Sequence, residues 1–262
     1  MRLRPAGKIT QRQKKAMIEI LAPVGGREQL LAAVRCGADA VYLGAKGFNA
    51  RRNAENFEDA SLGETVAFCH ARSVRVHVTL NTLVMDSETD ALDETIRSIA
   101  ESGADAVIVQ DLAVARRVRE ICPDIALHAS TQMAIHNAAG VRQAEELGFS
   151  RVVLARELSI PEIRAIHEKT HAELETFVHG ALCMCISGAC ELSAMLGGRS
   201  GNRGLCAQPC RLNFRAGARE YALSLKDLCA FDHIAEMRAA GVCSLKIEGR
   251  MKRPEYVAAA VT

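Results

Sequence analysis

The 262-residue sequence contains no tryptophan and only 4% aromatic residues. Its core must therefore be aliphatic, and the 49% of hydrophobic residues is enough to build one. No uninterrupted apolar run approaches the roughly 18 residues of a membrane-spanning helix. The N-terminus also lacks the apolar segment of a secretory signal. A cytoplasmic protein with no membrane partner is expected. In that compartment thiols stay reduced, so the ten cysteines are not expected to form a disulfide framework. Clustered cysteines in a large intracellular chain point to metal binding or catalysis instead. Acids are missing from the first fifteen positions, which hold Arg2, Arg4, Lys8, Arg12, Lys14 and Lys15. Residues 1–16 read as a basic, flexible N-terminus rather than a nucleic-acid arm, because terminal charge runs are commonly solvated and frayed. A net charge of +2 neither demands nor excludes a nucleic-acid partner.

One unit recurs along the rest of the chain. An amphipathic helix ends at a glycine, and a short apolar strand follows at once. Arg27–Cys36 stops at Gly37 before a strand at Ala40–Leu43. Glu88–Ser102 stops at Gly103 before Ala106–Val109, Ala138–Leu147 at Gly148 before Arg151–Leu154, and Phe231–Ala240 at Gly241 before Ser244–Ile247. Glycine takes the left-handed conformation that closes a helix without a Cβ clash. Further strands are predicted at Ile18–Leu21, Arg75–Leu80, Ile125–His128, Glu173–Val178 and Tyr221–Leu225. Short apolar strands alternating with helices imply a parallel sheet covered by helices. The expected fold is α/β, a TIM-like (β/α)8 barrel over residues 17–262. It needs eight strands where nine are counted, so one belongs to an insertion or is miscounted. A doubly wound sheet is the alternative, weakened because Ala22-Pro-Val-Gly-Gly26 is not a G-x-G-x-x-G turn.

Barrels place their chemistry at the C-terminal ends of strands. Polar residues gather there: Asn81 after the third strand, Gln110 and Asp111 after the fourth, and Ser130, Thr131 and Gln132 after the fifth. Arg156 and Glu157 follow the sixth, His179 the seventh, and Glu248 and Arg250 the last. A shared pocket is the economical explanation. We take Arg156, Glu157, His179 and Glu248 as candidate catalytic groups, and Asn81, Gln110, Gln132 and Arg250 as substrate-binding. Arginine offers the bidentate geometry that suits phosphate or carboxylate. The competing assignment for each arginine is an ion pair with Glu157 or Glu248, and for His179 a satisfied core histidine.

The stretch 181–220, after the seventh strand, is rich in glycine and cysteine and has no clear period. Such a segment in a compact domain is usually a functional loop or a metal-bound insert. Cys183, Cys185, Cys190, Cys206, Cys210 and Cys229 lie in or just after it; Cys36, Cys69, Cys122 and Cys243 are dispersed and read as small buried hydrophobes. Spacing leaves three readings open. Zinc favours C-x2-C knuckles, which are absent. A cubane iron–sulfur cluster tolerates widely spaced thiolates, as in C-x6-C-x15-C-x22-C. A nucleophilic cysteine needs a base, and His179 is the histidine close in sequence. No G-x-S-x-G elbow occurs.

The segments Glu175-Thr-Phe-Val-His-Gly-Ala-Leu-Cys183 and Ser187-Gly-Ala-Cys190-Glu-Leu-Ser193 resemble the signature of peptidase family U32, the collagenase-like proteases. The resemblance extends to Glu19-Ile-Leu-Ala-Pro23, Ala129-Ser-Thr-Gln132, Ala155-Arg-Glu-Leu-Ser159, Gly204-Leu-Cys206-Ala-Gln-Pro-Cys-Arg211 and Leu245-Lys-Ile-Glu-Gly-Arg-Met-Lys252, so it spans about residues 18 to 260. It implies a 4Fe-4S cluster on Cys183, Cys190, Cys206 and Cys229, with Cys210 as rival for the last position and Cys185 a bystander. It also implies hydroxylation of a pyrimidine base in tRNA or rRNA, with prephenate as a small organic acid cosubstrate. The family name itself implies a peptidase as the alternative activity. The chain ends at Thr262 inside a predicted helix where relatives usually continue, so a C-terminally truncated chain is expected.

Overall fold

The computed structural model describes residues 17–45, 47–51, 54–57, 59–187 and 189–262. The basic N-terminus predicted over 1–16, and Gly188 of the signature segment, lie outside the described residues. Eight parallel strands form the frame: β1 (Glu19–Pro23), β2 (Ala40–Gly44), β3 (Arg75–Leu80), β4 (Ala106–Val109), β5 (Ala126–Ala129), β6 (Arg151–Val153), β7 (Glu173–Gly180) and β9 (Val242–Ile247). Each pairs with the next, and β9 pairs with both β7 and β1, so the sheet closes on itself. Strand β8 (Leu228–Cys229) is a two-residue antiparallel addition to the end of β7. The fold is therefore the expected TIM-like (β/α)8 barrel, with the cysteine-rich insert following its seventh strand.

The helices are α1 (Arg27–Arg35), α2 (Asp59–His70), α3 (Thr89–Ser102), α4 (Leu112–Ile121), α5 (Ala138–Glu146), α6 (Ile160–His167), α7 (Leu192–Gly197), α8 (Ile234–Ala239) and α9 (Pro254–Val261). Sequence sets their ends. Gly37, Gly103, Gly148 and Gly241 all have positive φ, as helix-stopping glycines require. Starts are marked by caps. Asp111 accepts from the Ala113 amide, Asn137 from Gly140, and Ser159 with Glu162 forms a capping box on α6. On α3 the buried Leu92, Thr95, Ile96 and Ile99 repeat at helical spacing and face the sheet. Burial of each such Leu or Ile contributes roughly 1.5–3 kcal/mol.

The predicted ninth strand at Tyr221–Leu225 is corrected. Tyr221 has φ +50°, its amide donates to Asn213, and both Tyr221 and Leu225 are exposed. The run is mostly apolar but exposed at both ends and only half-buried between them, which a pattern of residue types cannot distinguish from a buried strand. The helix predicted over Phe231–Ala240 divides into a 3-10 turn at Phe231–His233 followed by α8.

The barrel interior is strongly polar at its base. Arg151 is buried against Glu19, Glu173 and Glu175, and Glu175 also binds Lys246 at 2.9 Å. His77 and His128 meet edge to face inside, with centroids 4.8 Å apart. Burial, then nearby Arg151, Arg75 and Lys246, pushes His77 well below the usual imidazole range. His128 is pushed down likewise, by burial first and His77 next.

Candidate functional site

The C-terminal mouth of the barrel brings together residues that sequence scatters over 200 positions. Glu248 follows β9, and its backbone amide donates to the carbonyl of His179 at the end of β7. Its carboxylate accepts from Arg51 on one oxygen and Arg156 on the other, each at 3.1 Å. Arg156 also donates to the Ala181 carbonyl at 2.7 Å and lies 3.8 Å over the ring of Phe177. Burial alone would raise the Glu248 carboxyl, but Arg51, Arg156 and Arg250 outweigh it and hold the group at about 2. The ion pair weighed for Arg156 thus forms with Glu248. Glu157 does not join the site: it is exposed and makes no ion pair among the described residues.

Arg250 is different in kind. It is 4% exposed, and its guanidinium donates to Thr79 Oγ1 at 2.9 Å and Asn49 Oδ1 at 3.3 Å, both neutral. Burial lowers its pKa to about 10, with Tyr42 and Glu248 opposing that shift and Arg51 adding to it. Three arginines therefore share one carboxylate at the mouth, an excess of positive charge in a desolvated place. Such an arrangement is costly unless an anion completes it.

His179 has its proton position fixed by its neighbours. The Tyr256 hydroxyl donates to the Glu248 carbonyl at 2.9 Å and lies 2.8 Å from His179 Nδ1. A hydroxyl has one proton and a carbonyl can only accept, so with the Tyr256 proton on the Glu248 carbonyl, Nδ1–H of His179 donates to Tyr256. The ring also stacks on Phe231 at 5.0 Å. No hydrogen bond joins His179 to Cys183 among the described residues, so the Cys183–His179 dyad is not formed. Gly180 sits between these groups at φ +114°. A Cβ there would come within 2.6 Å of the Glu248 carbonyl and 3.0 Å of the Tyr256 hydroxyl.

The amide side chains divide into two sorts. Asn81 is structural: it accepts from the Ala50 amide at 3.0 Å and donates to Ser130 at 3.4 Å, steadying the loop that carries Arg51. Gln110 and Gln132 have buried Oε1 atoms without a partner among the described residues, which suits acceptors awaiting a ligand's N–H. Sequence reasoning missed Arg51, Asn49, Thr79 and Tyr256. Arg51 lies seven residues past the end of β2, and Tyr256 sits on α9; both reach the site only through the fold.

All ten cysteines are free thiols. The Cys185 thiol is pushed up by burial and then by Cys190 and Cys183. Cys210 is pushed up by burial, against Arg211, with Cys183, Cys206 and Cys190 adding to the rise. These five thiols of the insert therefore form one neighbourhood. Cys229 lies opposite His179 across the β7–β8 pairing, and His179 itself precedes Cys183 by four residues. The Arg51 guanidinium is pushed up, chiefly by Glu248. The donors suit a thiolate-bound cluster in kind and in location, beside the mouth. Among the described residues no three His, Cys, Asp or Glu side chains yet converge as metal ligands.

Comparison with known proteins agrees with the architecture. A solved U32 peptidase superposes with a TM-score of 0.64 at 17% identity, over 94% of this chain and 97% of that one, which speaks to the fold alone. A tRNA hydroxylation protein of Bacillus subtilis is 38% identical over 93% of this chain and 61% of its own. A 23S rRNA 5-hydroxycytidine synthase of Escherichia coli is 40% identical over 92% of this chain and 37% of its own. A collagenase of Porphyromonas gingivalis is 38% identical over 91% and 62%. The chain thus spans less than two thirds of these relatives. The model for peptidase family U32 matches residues 25–262. Barrel, insert and mouth agree with that match, and the chain belongs to peptidase family U32.

Proposed function

We propose that this chain is the barrel of an iron–sulfur enzyme that hydroxylates a pyrimidine base of tRNA or rRNA in the cytoplasm. One observation carries the reading: the Arg51–Glu248–Arg156 network and the thiol-rich insert meet at a single barrel mouth, where Arg156 donates to the Ala181 carbonyl two residues before Cys183 and Glu248 bonds His179, the residue opposite Cys229. Its relatives named for tRNA and rRNA hydroxylation, at 38% and 40% identity, supply the substrate class. A 4Fe-4S cluster held by Cys183, Cys190, Cys206 and Cys229 would supply one-electron redox chemistry at that mouth.

The chain's own residues then take definite parts. Arg250, with Arg51 and Arg156 around it, binds the carboxylate of a small organic acid such as prephenate, through charge-assisted hydrogen bonds. The unpartnered Oε1 atoms of Gln110 and Gln132 accept from the base edge, where cytosine offers an exocyclic amino group and uracil a ring N–H. His179, with Nδ1–H directed at Tyr256, presents Nε2 as a proton acceptor. Glu248 stays ionised and orients two arginines rather than moving a proton.

The deciding experiment is mass spectrometry of nucleosides from tRNA and rRNA of a deletion strain. A hydroxylated pyrimidine should disappear and return on complementation. Unchanged nucleosides in both RNA classes would sink the proposal.

A further inference from the structure

The insert carries an exposed hairpin lip. Ala222 donates to the Phe214 carbonyl at 2.8 Å, and the backbones of Ala216 and Arg219 exchange both hydrogen bonds around Gly217, which has φ +59°. The base is pinned by Arg211, which donates to the Leu182 carbonyl and to Ser224, each at 3.1 Å, and to the Leu225 carbonyl. Cys210, one residue earlier, belongs to the thiol neighbourhood. The lip therefore springs directly from the site, and every residue from 212 to 221 is exposed.

Its composition is unusual for this chain. The sequence has ten aromatic residues, seven Phe and three Tyr. The three that are exposed are Phe214 at 36%, Tyr221 at 52% and Phe231 at 40%, all within one stretch of the chain. Phe231 already stacks on His179. Tyr221 also holds a left-handed backbone at φ +50°, costing about 1 kcal/mol that glycine or asparagine would avoid. Residues 199–226 contain Arg199, Arg203, Arg211, Arg215, Arg219 and Lys226 against Glu220 as their one acid. Arg219 and Lys226 make no ion pair among the described residues, and both are exposed. The near-neutral total charge conceals this local excess.

We infer that the lip is a platform for unpaired nucleotides. Bases stack on Phe214 and Tyr221, and Arg219 and Lys226 meet the flanking phosphates, while Arg215 pairs with Glu220. Stacking needs a free base face, and a duplex buries both faces of each base, so the platform selects unpaired RNA. A base must also leave its stack to enter a barrel mouth, so the two demands agree. The inference rests on the RNA-hydroxylase reading and adds where the substrate strand lies.

The test uses the full chain prepared without oxygen. Because the sequence lacks tryptophan, Tyr221→Trp introduces a single reporter. An unstructured RNA of about 12 nucleotides, within the usual single-strand site sizes, should quench it, while the same RNA annealed to its complement should not. Phe214→Ala with Tyr221→Ala should weaken binding of the unstructured RNA at least about tenfold, and Tyr221→Phe should stay within about twofold. Circular dichroism and iron content should not change, since both side chains are exposed. Equal binding of duplex, or unchanged affinity in the double variant, overturns the inference. A double variant that alters oligomeric state but not RNA binding makes the lip a self-interface instead. Nucleoside analysis separates the two proposals. A deletion phenotype fully rescued by a double variant with normal RNA affinity removes the platform alone. Lip-dependent RNA binding in a protein whose deletion alters no nucleoside removes the hydroxylase reading alone.

Discussion

His179 Nδ1 and the Tyr256 hydroxyl lie 2.8 Å apart, and the Tyr256 proton is already committed to the Glu248 carbonyl. Tyr256 is a positioning residue: it holds the imidazole in one tautomer and one orientation. Tyr256→Phe removes the acceptor for Nδ1–H and leaves the ring packed against Phe231. Cellular yield of the hydroxylated nucleoside should fall about tenfold, a modest share of the effect of a general base. The pH dependence of the yield in vitro should shift, which a purely structural role would not produce. Iron content and melting temperature should match the parent. Equal yields and an unmoved pH profile would exclude His179 from proton transfer.

Arg250 separates stability from function. Its guanidinium is buried with only neutral partners, Thr79 and Asn49. Arg250→Gln keeps a hydrogen-bonding side chain and removes a desolvated charge. Removing an uncompensated buried charge is expected to leave stability unchanged or raise it by about 1 kcal/mol. Hydroxylation should be lost, because the anion loses its principal cation. Urea unfolding and nucleoside analysis read the two effects independently. A strongly destabilised variant that still supports modification would reverse the assignment.

The barrel was legible because its punctuation is local. Gly37, Gly103, Gly148 and Gly241 each end a helix by a conformation that the residue type alone permits. The ninth strand was misread because Tyr221–Leu225 has strand-like composition, and exposure is decided by the rest of the fold. The mouth was half legible for a related reason. His179, Arg156, Glu248 and Arg250 directly follow strands, and barrel geometry brings strand ends together. Arg51 joins Glu248 across 197 positions from the middle of a loop. Tyr256 joins His179 across 77 from a helix. Neither spacing nor residue type announces such contacts. The cysteines were legible as a group, but their spacing left zinc, iron–sulfur and nucleophile open.

The fourth thiolate is the sharpest question that this grouping raises. Serine replacements at Cys183, Cys190, Cys206 and Cys229 should each abolish bound iron and the visible absorbance of the anaerobically purified protein. Cys185→Ser and Cys210→Ser should retain both. Cys210 lies among the other insert thiols, whereas Cys229 approaches from β8, so the comparison is decisive. Iron lost in Cys210→Ser and kept in Cys229→Ser would transfer the ligand role. A colourless, iron-free parent that cleaves peptides would remove the cluster altogether.

Acid should unfold the barrel in two stages, and the sign follows from which state binds more protons. His77 and His128 are held neutral in the fold, well below the ordinary imidazole value of 6.5. The unfolded chain takes up those protons as pH falls through 6.5 and the folded chain does not. Stability should therefore decline below about pH 6.5, by about 1.4 kcal/mol per pH unit for each histidine. Glu175 and Glu248 follow. Burial opposes their ionisation, yet Lys246 and Arg151 hold Glu175, and the mouth arginines hold Glu248, at about 2. Their contribution is complete above the ordinary carboxyl value of 4.5 and is lost as pH falls toward 2. Urea titrations at closely spaced pH values should show both slopes. His128→Gln should roughly halve the upper one while leaving the lower one in place. A stability flat from pH 7 to 5 would show that the two imidazoles are not buried neutral among Arg151, Arg75 and Lys246.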